Sequence, residues 1–281
     1  MTLKQYKNKN LELLEIKLLL EGIYQYYGID FRNYALSSIR RRVSYRMNAE
    51  KIETITQLLD RVLHDQEMME KIFHDFSINV TEMFRDPSFF LLVRHQILPH
   101  LKHLPIIRIW HAGCSTGEEV YSMAILLREE GLLDKTRIYA TDFNERVLEK
   151  AMSGEFPLKK MRGYTNNYIR SGGQQDFSEY YSVQNEMVSF NKELSKNMIF
   201  AQHNLVTDGS FNEFHMIICR NVLIYFNKIL QERVHQLFYN SLGTSGFLCL
   251  GSREGLLTRL DGLSYMVFDE KEKIFQKDNG E

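Results

Sequence analysis

The sequence predicts an α/β protein in which a helical domain precedes a mostly parallel β-sheet interrupted by a small antiparallel insertion. Three observations predict it. Residues 11–76 place apolar side chains at helical spacing. Beyond about residue 105, short β-branched or aromatic runs alternate with helical patterns, as in βαβ units. Residues 153–195 break that alternation. We therefore expect a helical domain over residues 1–80 and a larger domain over residues 81–281.

In the helical part, the apolar positions form three groups. The first is Leu11, Leu14 and Leu18, the second is Ile52, Ile55, Leu58, Leu59 and Val62, and the third is Met69, Ile72, Phe73 and Phe76. Each group lies on one face of a helix. Gly28 and residues 48–50 are the expected turns, so we predict a small helical bundle.

In the second part, five short runs are typical of buried strands. They are residues 106–110, 137–140, 214–219, 247–250 and 274–276. The insertion is rich in Tyr, Asn, Gly and Ser and has one strand-like stretch at residues 187–190. We expect it to form a small antiparallel subdomain.

Composition narrows the classes of function. The chain has 35 Lys plus Arg against 36 Asp plus Glu, so we expect no nucleic-acid partner and no bulk attraction to anionic lipid. Cys114, Cys219 and Cys249 lie far apart, which argues against a zinc site and a disulfide framework. No run of about 18 apolar residues occurs, so we expect no membrane insertion. A cytoplasmic protein fits best.

The strongest chemical signal is the loop after the first predicted strand. Gly113 and Gly117 let the backbone turn tightly and approach a ligand. Glu118 and Glu119 stand where the next helix begins, and these carboxylates would repel a phosphate. S-adenosylmethionine has no phosphate and carries a sulfonium and an ammonium. The loop therefore favours S-adenosylmethionine over NAD.

A second signal is Asp142, which ends the next predicted strand about 25 positions after Gly117. A carboxylate at this place in a βαβ unit can accept hydrogen bonds from both hydroxyls of an adenosine ribose. The combination of loop and acidic residue is far more specific than the glycines alone.

Residues 112–122, Ala-Gly-Cys-Ser-Thr-Gly-Glu-Glu-Val-Tyr-Ser, resemble the cofactor loop of the CheR family of chemotaxis receptor methyltransferases. Four further segments agree with that family in order. They are residues 28–31 with 39–47, residues 79–86, residues 140–142 with 148–151, and residues 218–226. The resemblance covers nearly the whole chain.

The resemblance implies a Rossmann-like methyltransferase domain behind an all-α domain, with S-adenosylmethionine as cofactor and S-adenosylhomocysteine as product. It implies methylation of glutamate side chains in the helical bundle of chemotaxis receptors, and we expect a monomer. Carried over by position, the cofactor residues are Asn79, Thr81, Arg85, Glu118, Asp142, Asn204, Leu205, Arg220 and Asn221. Arg85 would bind the cofactor carboxylate, Glu118 its ammonium and Asp142 its ribose.

The chain departs from the family in two places. Val120 replaces the usual proline after the paired glutamates, and it should be tolerated in a first helical turn. Residues 180–190 lack the glycine-rich loop of the members that dock on a receptor's C-terminal peptide. We expect that this chain does not use such a tether.

Two sets of residues are candidates for work on the acceptor. Tyr225, just past a predicted strand, is our candidate for the catalytic side chain that orients the acceptor carboxylate, although aromatic residues there commonly serve packing. Between Arg32 and Arg46 there are five arginines and no acidic residue. A glutamate-rich receptor bundle suits such a basic helix, and the partner-binding candidates are Arg40, Arg41, Arg42 and Arg46.

Other functions stay open at this level. The chain could methylate a different acceptor, such as a small molecule, or it could bind the cofactor as a non-catalytic signalling module. His95, His100 and His103 lie close in sequence, but no acidic or Cys ligand stands near them at motif spacing, so we expect no metal site.

Overall fold

The computed structural model describes residues 3–77, 80–257 and 262–278. The chain divides into two compact units. The first comprises Met1–Ile78 with Ile224–Glu232, and the second comprises Asn79–Leu223 with Arg233–Glu281. The architecture is the predicted one: an all-α part, a mostly parallel sheet flanked by helices, and a small antiparallel sheet.

The first unit is built on four helices. They are α1 (Leu3–Tyr27), α2 (Leu36–Glu50), α3 (Ile55–His64) and α4 (Gln66–Phe76). Thr54 and Gln57 form a capping box at the start of α3, and Asp65 caps α4. The predicted turn at residues 48–50 was placed slightly early, because α2 continues to Glu50 and ends where Lys51 adopts a left-handed φ of 55°.

Residues 224–232 of the first unit pair with residues 33–35, which lie just before α2. Tyr34 and Phe226 form an isolated antiparallel bridge, and Ala35 N–H donates to the Tyr225 carbonyl at 2.7 Å. Asn227 N–H donates to the Asn33 carbonyl at 2.9 Å. These two backbone hydrogen bonds, which make the bridge, join residues that are almost 200 positions apart in the chain.

The remaining elements belong mainly to the second unit. The strands are β1 (Ile107–Ala112), β2 (Thr136–Asp142), β3 (Glu155–Pro157), β4 (Tyr181–Gln184), β5 (Met187–Phe190), β6 (Met198–Gln202), β7 (Phe214–Cys219), β8 (Leu242–Leu250), β9 (Tyr265–Asp269) and β10 (Ile274–Lys277). The helices are α5 (Pro87–Leu92), α6 (Leu98–Leu101), α7 (Glu118–Glu129), α8 (Glu145–Ser153), α9 (Met161–Arg170), α10 (Lys192–Ser195) and α11 (Lys228–Ser241). A π-helical turn, Val93–Ile97, joins α5 to α6.

The large sheet has seven strands in the order β6-β2-β1-β7-β8-β10-β9. The five strands from β6 to β8 are parallel, and β10 and β9 add antiparallel pairs. All five predicted strands are present. Sequence reasoning missed β6 and β9, which are the two edges of the sheet.

The insertion between β2 and β6 contains a three-stranded antiparallel sheet in the order β3-β5-β4. The predicted strand at residues 187–190 is β5, the central strand. Tyr164 and Tyr168 on α9 are buried against the second unit's core.

The parallel strands bring a few chain segments to one edge of the sheet. β1 ends at Ala112, β2 at Asp142 and β7 at Cys219, and these three strands are neighbours. Ligands of open α/β sheets bind outside such carboxyl ends. No helix in the described part of the chain is both long enough and apolar enough to cross a bilayer.

Candidate active site

The loop from β1 to α7 is shaped by two glycines. Gly113 has φ +81° and Gly117 has φ +92°, both in the left-handed region. A Cβ on Gly113 would lie 2.7 Å from Cγ2 of Val222, and one on Gly117 would lie 2.9 Å from the Cβ of Ala151. The N–H of Gly113 donates to the Thr141 carbonyl at 2.8 Å, which fixes the loop to the end of β2.

Asp142 lies at the end of β2, where the sequence placed it, and is buried. Its carboxylate accepts from the backbone N–H of Ser115 at 3.0 Å and from that of Asn144 at 3.1 Å. Burial raises the pKa of Asp142, although these backbone hydrogen bonds oppose the rise. The carboxylate therefore clamps the β1 loop to the β2 loop.

Glu118 is the first residue of α7, and its side chain is only 1% exposed. Thr116 Oγ1 donates to its Oε2 at 2.5 Å. Tyr164 OH donates to its Oε1 at 3.1 Å, and Lys160 Nζ lies 3.2 Å from the same oxygen. Burial and the nearby Glu118 charge raise the pKa of Tyr164, so its hydroxyl stays a donor. Sequence reasoning found Glu118 but not Lys160 or Tyr164, since no local pattern links α9 to α7.

Glu119, the next residue, joins two strands. Its Oε2 accepts from Arg220 Nη1 at 2.9 Å, and its Oε1 lies 3.2 Å from His111 Nδ1. Burial alone would raise the pKa of Glu119, but the His111 hydrogen bond and the Arg220 charge outweigh it and hold that pKa below its usual value. Arg220 also pairs with Asp86 and donates to the Arg85 carbonyl. The charge of Arg220 is thus largely matched by protein carboxylates.

The segment ahead of α5 brings in the next predicted residues. Thr81 and Arg85 are half-buried, and Arg85 Nη1 donates to the Val80 carbonyl at 3.3 Å. Phe84 has a left-handed φ of 50°, and its N–H donates to Ser122 Oγ on α7 at 2.9 Å. This bond ties the segment to the helix that starts at Glu118. Asn79 lies outside the described residues.

Asn204 and Leu205 follow β6. The Asn204 side chain accepts from Val206 N–H at 2.9 Å, and its own N–H donates to Asp208 at 2.9 Å. Leu205 is buried. This turn lies after an edge strand that sequence reasoning missed, although the two residues were proposed by position.

Asn221 follows Arg220 and adopts a left-handed φ of 62°. Its backbone N–H donates to Glu254 Oε2 at 2.9 Å, and Gly251 N–H donates to the same oxygen at 2.6 Å. The buried Glu254 thus fixes the loops after β7 and β8 together. Nothing in the sequence near Glu254 signals this role.

Tyr225 belongs to the first unit, as does α2. Its ring is half-buried, and the guanidinium of Arg42 lies 5.3 Å from the ring centroid. The contact is a cation–π interaction within this unit. The role of Tyr225 in catalysis stays a prediction.

The four candidate partner-binding arginines have different surroundings. Arg41 is exposed, and Arg40 is half-buried and pairs with Glu12 at 3.2 Å. Arg42 is 8% exposed, and its Nη1 donates to the Ser38 carbonyl at 2.9 Å. Arg46 makes a two-pronged pair with Asp75, at 2.7 and 3.0 Å. The run is therefore not one solvated face, because its members divide between the surface and the interior of the helical unit.

Away from this edge, His100 and His103 line a cavity of about 400 Å³ together with His215. Within the described residues, no three His, Cys, Asp or Glu side chains come together in a group that could hold a metal ion. The Arg108 N–H donates to His215 Nδ1 at 3.0 Å.

The residues at the strand ends fit the expected cofactor. Carboxylates such as Glu118 and Asp142 can pair with a cation or accept hydrogen bonds from ribose hydroxyls, whereas a phosphate would meet their negative charge. Ser115 Oγ, between them in the loop, is buried and has no hydrogen-bond partner among the described residues. A ligand with several polar groups would satisfy that oxygen.

Comparison with known proteins gives two family matches. Residues 14–77 match the model of the CheR methyltransferase all-alpha domain, and residues 79–271 match that of the CheR methyltransferase SAM binding domain. A Pseudomonas putida protein named as methyltransferase Cher3 is 49% identical over 94% of this chain and 97% of its own length. The chemotaxis protein methyltransferase of Listeria innocua is 28% identical, over 83% of this chain and 87% of its own. The chemotaxis protein methyltransferase of Salmonella typhimurium is 29% identical, over 83% of this chain and 80% of its own length.

Proposed function

The chain belongs to the CheR methyltransferase family, and from this membership we propose that it methylates glutamate side chains of chemotaxis receptors. S-adenosylmethionine is its cofactor. The observation that carries the proposal is the match of both family domains, in order, over residues 14–77 and 79–271. The similarity to chemotaxis protein methyltransferases over most of the chain supports a chemotaxis protein as acceptor.

For the cofactor, we propose one role for each charged group at the strand ends. Arg85 binds the carboxylate, Glu118 the ammonium and Asp142 the ribose hydroxyls. The neutral residues Asn79, Thr81, Asn204, Leu205 and Asn221 line the remainder, and Arg220 is held beside them by Glu119. Burial of Glu118 and Asp142 supports these roles, because a buried carboxylate gains most from a matching partner.

The bound cofactor supplies a methyl group on a positively charged sulfur. A glutamate side chain has an ordinary pKa of about 4.3, so it is ionised at neutral pH and can attack without a general base. The protein has then to hold the acceptor oxygen in line with the methyl and sulfur and to exclude water. We assign Tyr225 to the first task, as a hydroxyl donor that orients the acceptor carboxylate.

For the acceptor, we propose that α2 presents Arg41 to the glutamate-rich helices of a receptor. Arg41 is exposed, whereas Arg40, Arg42 and Arg46 already have partners in the helical unit. These three arginines would hold α2 in place more than contact the receptor directly. The acceptor region of such receptors is cytoplasmic, so this proposal also locates the enzyme in the cytoplasm.

The test is transfer of labelled methyl from S-adenosylmethionine to cytoplasmic receptor fragments. A carboxyl ester releases its label as methanol in mild base, so base lability distinguishes glutamate methylation from N-methylation. We expect base-labile label on glutamate with wild-type protein and far less with Asp142→Asn. Tight binding of S-adenosylhomocysteine with no transfer to any receptor fragment would contradict the proposed acceptor. It would not contradict the assignment of S-adenosylmethionine as cofactor.

A further inference from the structure

Side chains at the start of helix α9 of the insertion and along it reach both ends of α7. Lys160, Tyr164 and Tyr168 are spaced four residues apart and so share one face. Lys160 and Tyr164 contact Glu118, the first residue of α7, while Tyr168 OH donates to Glu129, its last residue. One face of the insertion is thus anchored at both ends of the helix that carries the proposed ammonium ligand.

The Glu129 end of this contact is firmly held. The Glu129 side chain is 1% exposed and pairs with Arg94, which is 3% exposed. Glu129 Oε1 also accepts from Tyr180 OH at 2.9 Å and from Gln174 N–H at 3.0 Å. Four donors on one buried carboxylate make this end a fixed anchor.

The Glu118 end differs, because its cation is a flexible, partly solvated side chain. Lys160 is 43% exposed, whereas the carboxylate that it meets is 1% exposed. Lysine carries a compact charge on a four-carbon chain and can move into water at little cost. Lys160 therefore neutralises a buried carboxylate while remaining free to leave it.

A cofactor ammonium on Glu118 would be a second cation at the carboxylate that Lys160 already meets. Two cations within hydrogen-bond reach of one carboxylate repel each other. The neighbouring donors Thr116 and Tyr164 are neutral, so neither competes with an ammonium through its charge. Of the donors that the structure gives to Glu118, Lys160 is the one whose charge the ammonium would duplicate.

We propose that Lys160 is a positioning residue. In the cofactor-free protein it pairs with Glu118, and the cofactor's ammonium displaces it from Glu118 when the cofactor binds. The inference rests on the proposed role of Glu118. Lys160 stands three residues after β3, so its displacement also couples cofactor binding to the start of α9 and to the inserted sheet. A partner that holds Lys160 on Glu118 therefore weakens cofactor binding, and by linkage the bound cofactor weakens binding of that partner by the same factor.

The test compares S-adenosylhomocysteine binding by titration calorimetry in wild type, Lys160→Met and Lys159→Met. Lys159 is the exposed neighbour and serves as the matched control. We expect Lys160→Met to bind about fivefold tighter or more, because the ammonium no longer competes with a lysine. Lys159→Met should bind like wild type.

A second ligand separates competition from a general structural effect. An analogue of S-adenosylhomocysteine that lacks the amino group should bind Lys160→Met no tighter than wild type. Equal or weaker binding of S-adenosylhomocysteine by Lys160→Met, or tighter binding of both ligands, would overturn the inference. Failure of wild type itself to bind S-adenosylhomocysteine would instead overturn the role of this site in cofactor binding, and the inference with it.

Discussion

Glu119 and Arg220 form an ion pair across the centre of the sheet's carboxyl edge, with 2.9 Å between Oε2 and Nη1. The Arg220 side chain is 2% exposed, and Glu119 also contacts His111 on β1. The pair thus connects β1, the start of α7 and the end of β7. It fixes the direction of the guanidinium that we place beside the cofactor.

Glu119→Gln should weaken cofactor binding by about tenfold, because Arg220 loses one of its two carboxylate partners in a buried place. We expect the free energy of unfolding to fall by about 2 kcal/mol as well. Titration with S-adenosylhomocysteine and urea unfolding measure the two effects. Glu149→Gln, on the exposed face of α8, is the control and should change neither.

Gly117→Ala should abolish cofactor binding and destabilise the second unit. The added Cβ would lie 2.9 Å from the Cβ of Ala151 and 3.1 Å from its Cα, in addition to the strain of a positive φ. Gly131→Ala separates the two causes, because Gly131 also has a positive φ of 67° but has open space around a Cβ. It should cost only about 1–2 kcal/mol in urea unfolding and leave S-adenosylhomocysteine binding intact.

Glu129→Gln should lower stability by about 3 kcal/mol at pH 7, since Arg94 would lose a buried partner. Burial raises the pKa of Glu129, but the hydrogen bonds from Tyr168, Arg94 and Gln174 outweigh it and hold that pKa below its usual value. A lowered carboxylate pKa stabilises the fold above about pH 4.3, and the stabilisation is lost as the pH falls through the folded-state value. Urea unfolding from pH 7 to pH 3.5 should therefore show the two proteins converging, and a constant gap would contradict this account.

Arg41→Glu should lower methylation of receptor fragments by about tenfold and leave S-adenosylhomocysteine binding unchanged, because its charge faces solvent. The loss should shrink at high salt. Arg42→Glu should instead unfold the helical unit, since it places a carboxylate where a buried guanidinium meets the Ser38 carbonyl. Lys17→Glu, exposed on α1, is the control for a charge change on the same unit. An equal loss with Lys17→Glu would argue for general charge attraction and against a contact at Arg41.

Tyr225→Phe should lower kcat about tenfold with little change in S-adenosylhomocysteine affinity, because the hydroxyl acts on the acceptor and not on the cofactor. The ring and its contact with Arg42 are retained in this variant. Tyr26→Phe, a tyrosine 68% exposed on α1, is the matched control. Full activity of Tyr225→Phe would leave the ring with a packing role only.

The sequence was sufficient for the centre of the sheet and insufficient for its edges. β1, β7 and the second half of β8 are mostly buried, and β2 and β10 each contain buried apolar residues, so these strands leave visible apolar runs. β6 and β9 have mostly exposed or half-buried side chains, and such strands lack a clear period. The positions of Glu118 at a helix start and of Asp142 at a strand end were predictable, because a local loop motif places each of them; their binding roles stay predictions.

Contacts between distant segments were not predictable. Glu119 meets Arg220 across 101 positions, and Glu254 holds Asn221 across 33, so no local pattern reports either pair.

The helical spacing of the residues around the arginine run indicates which arginines are buried, although the number of charges does not. Ser38, Ile39, Arg42 and Val43 repeat at helical spacing, and this is the buried face of α2. The register of the helix, more than the number of charges, decides which arginine reaches solvent.

The return of residues 224–232 to the helical unit decides how this chain can be cut into fragments. A recombinant piece that stops near residue 78 would have no Phe226 to bridge Tyr34, and the Ala35 and Asn33 backbone groups would lose the carbonyl and N–H that pair with them. A piece that lacks residues 1–78 would keep α11, but Asn227, whose side chain accepts from Leu230 N–H in the first turn of that helix, would have lost its bonds to Asn33. Domain swaps between relatives should therefore exchange residues 224–232 together with the N-terminal helices, although the two stretches are widely separated in the gene.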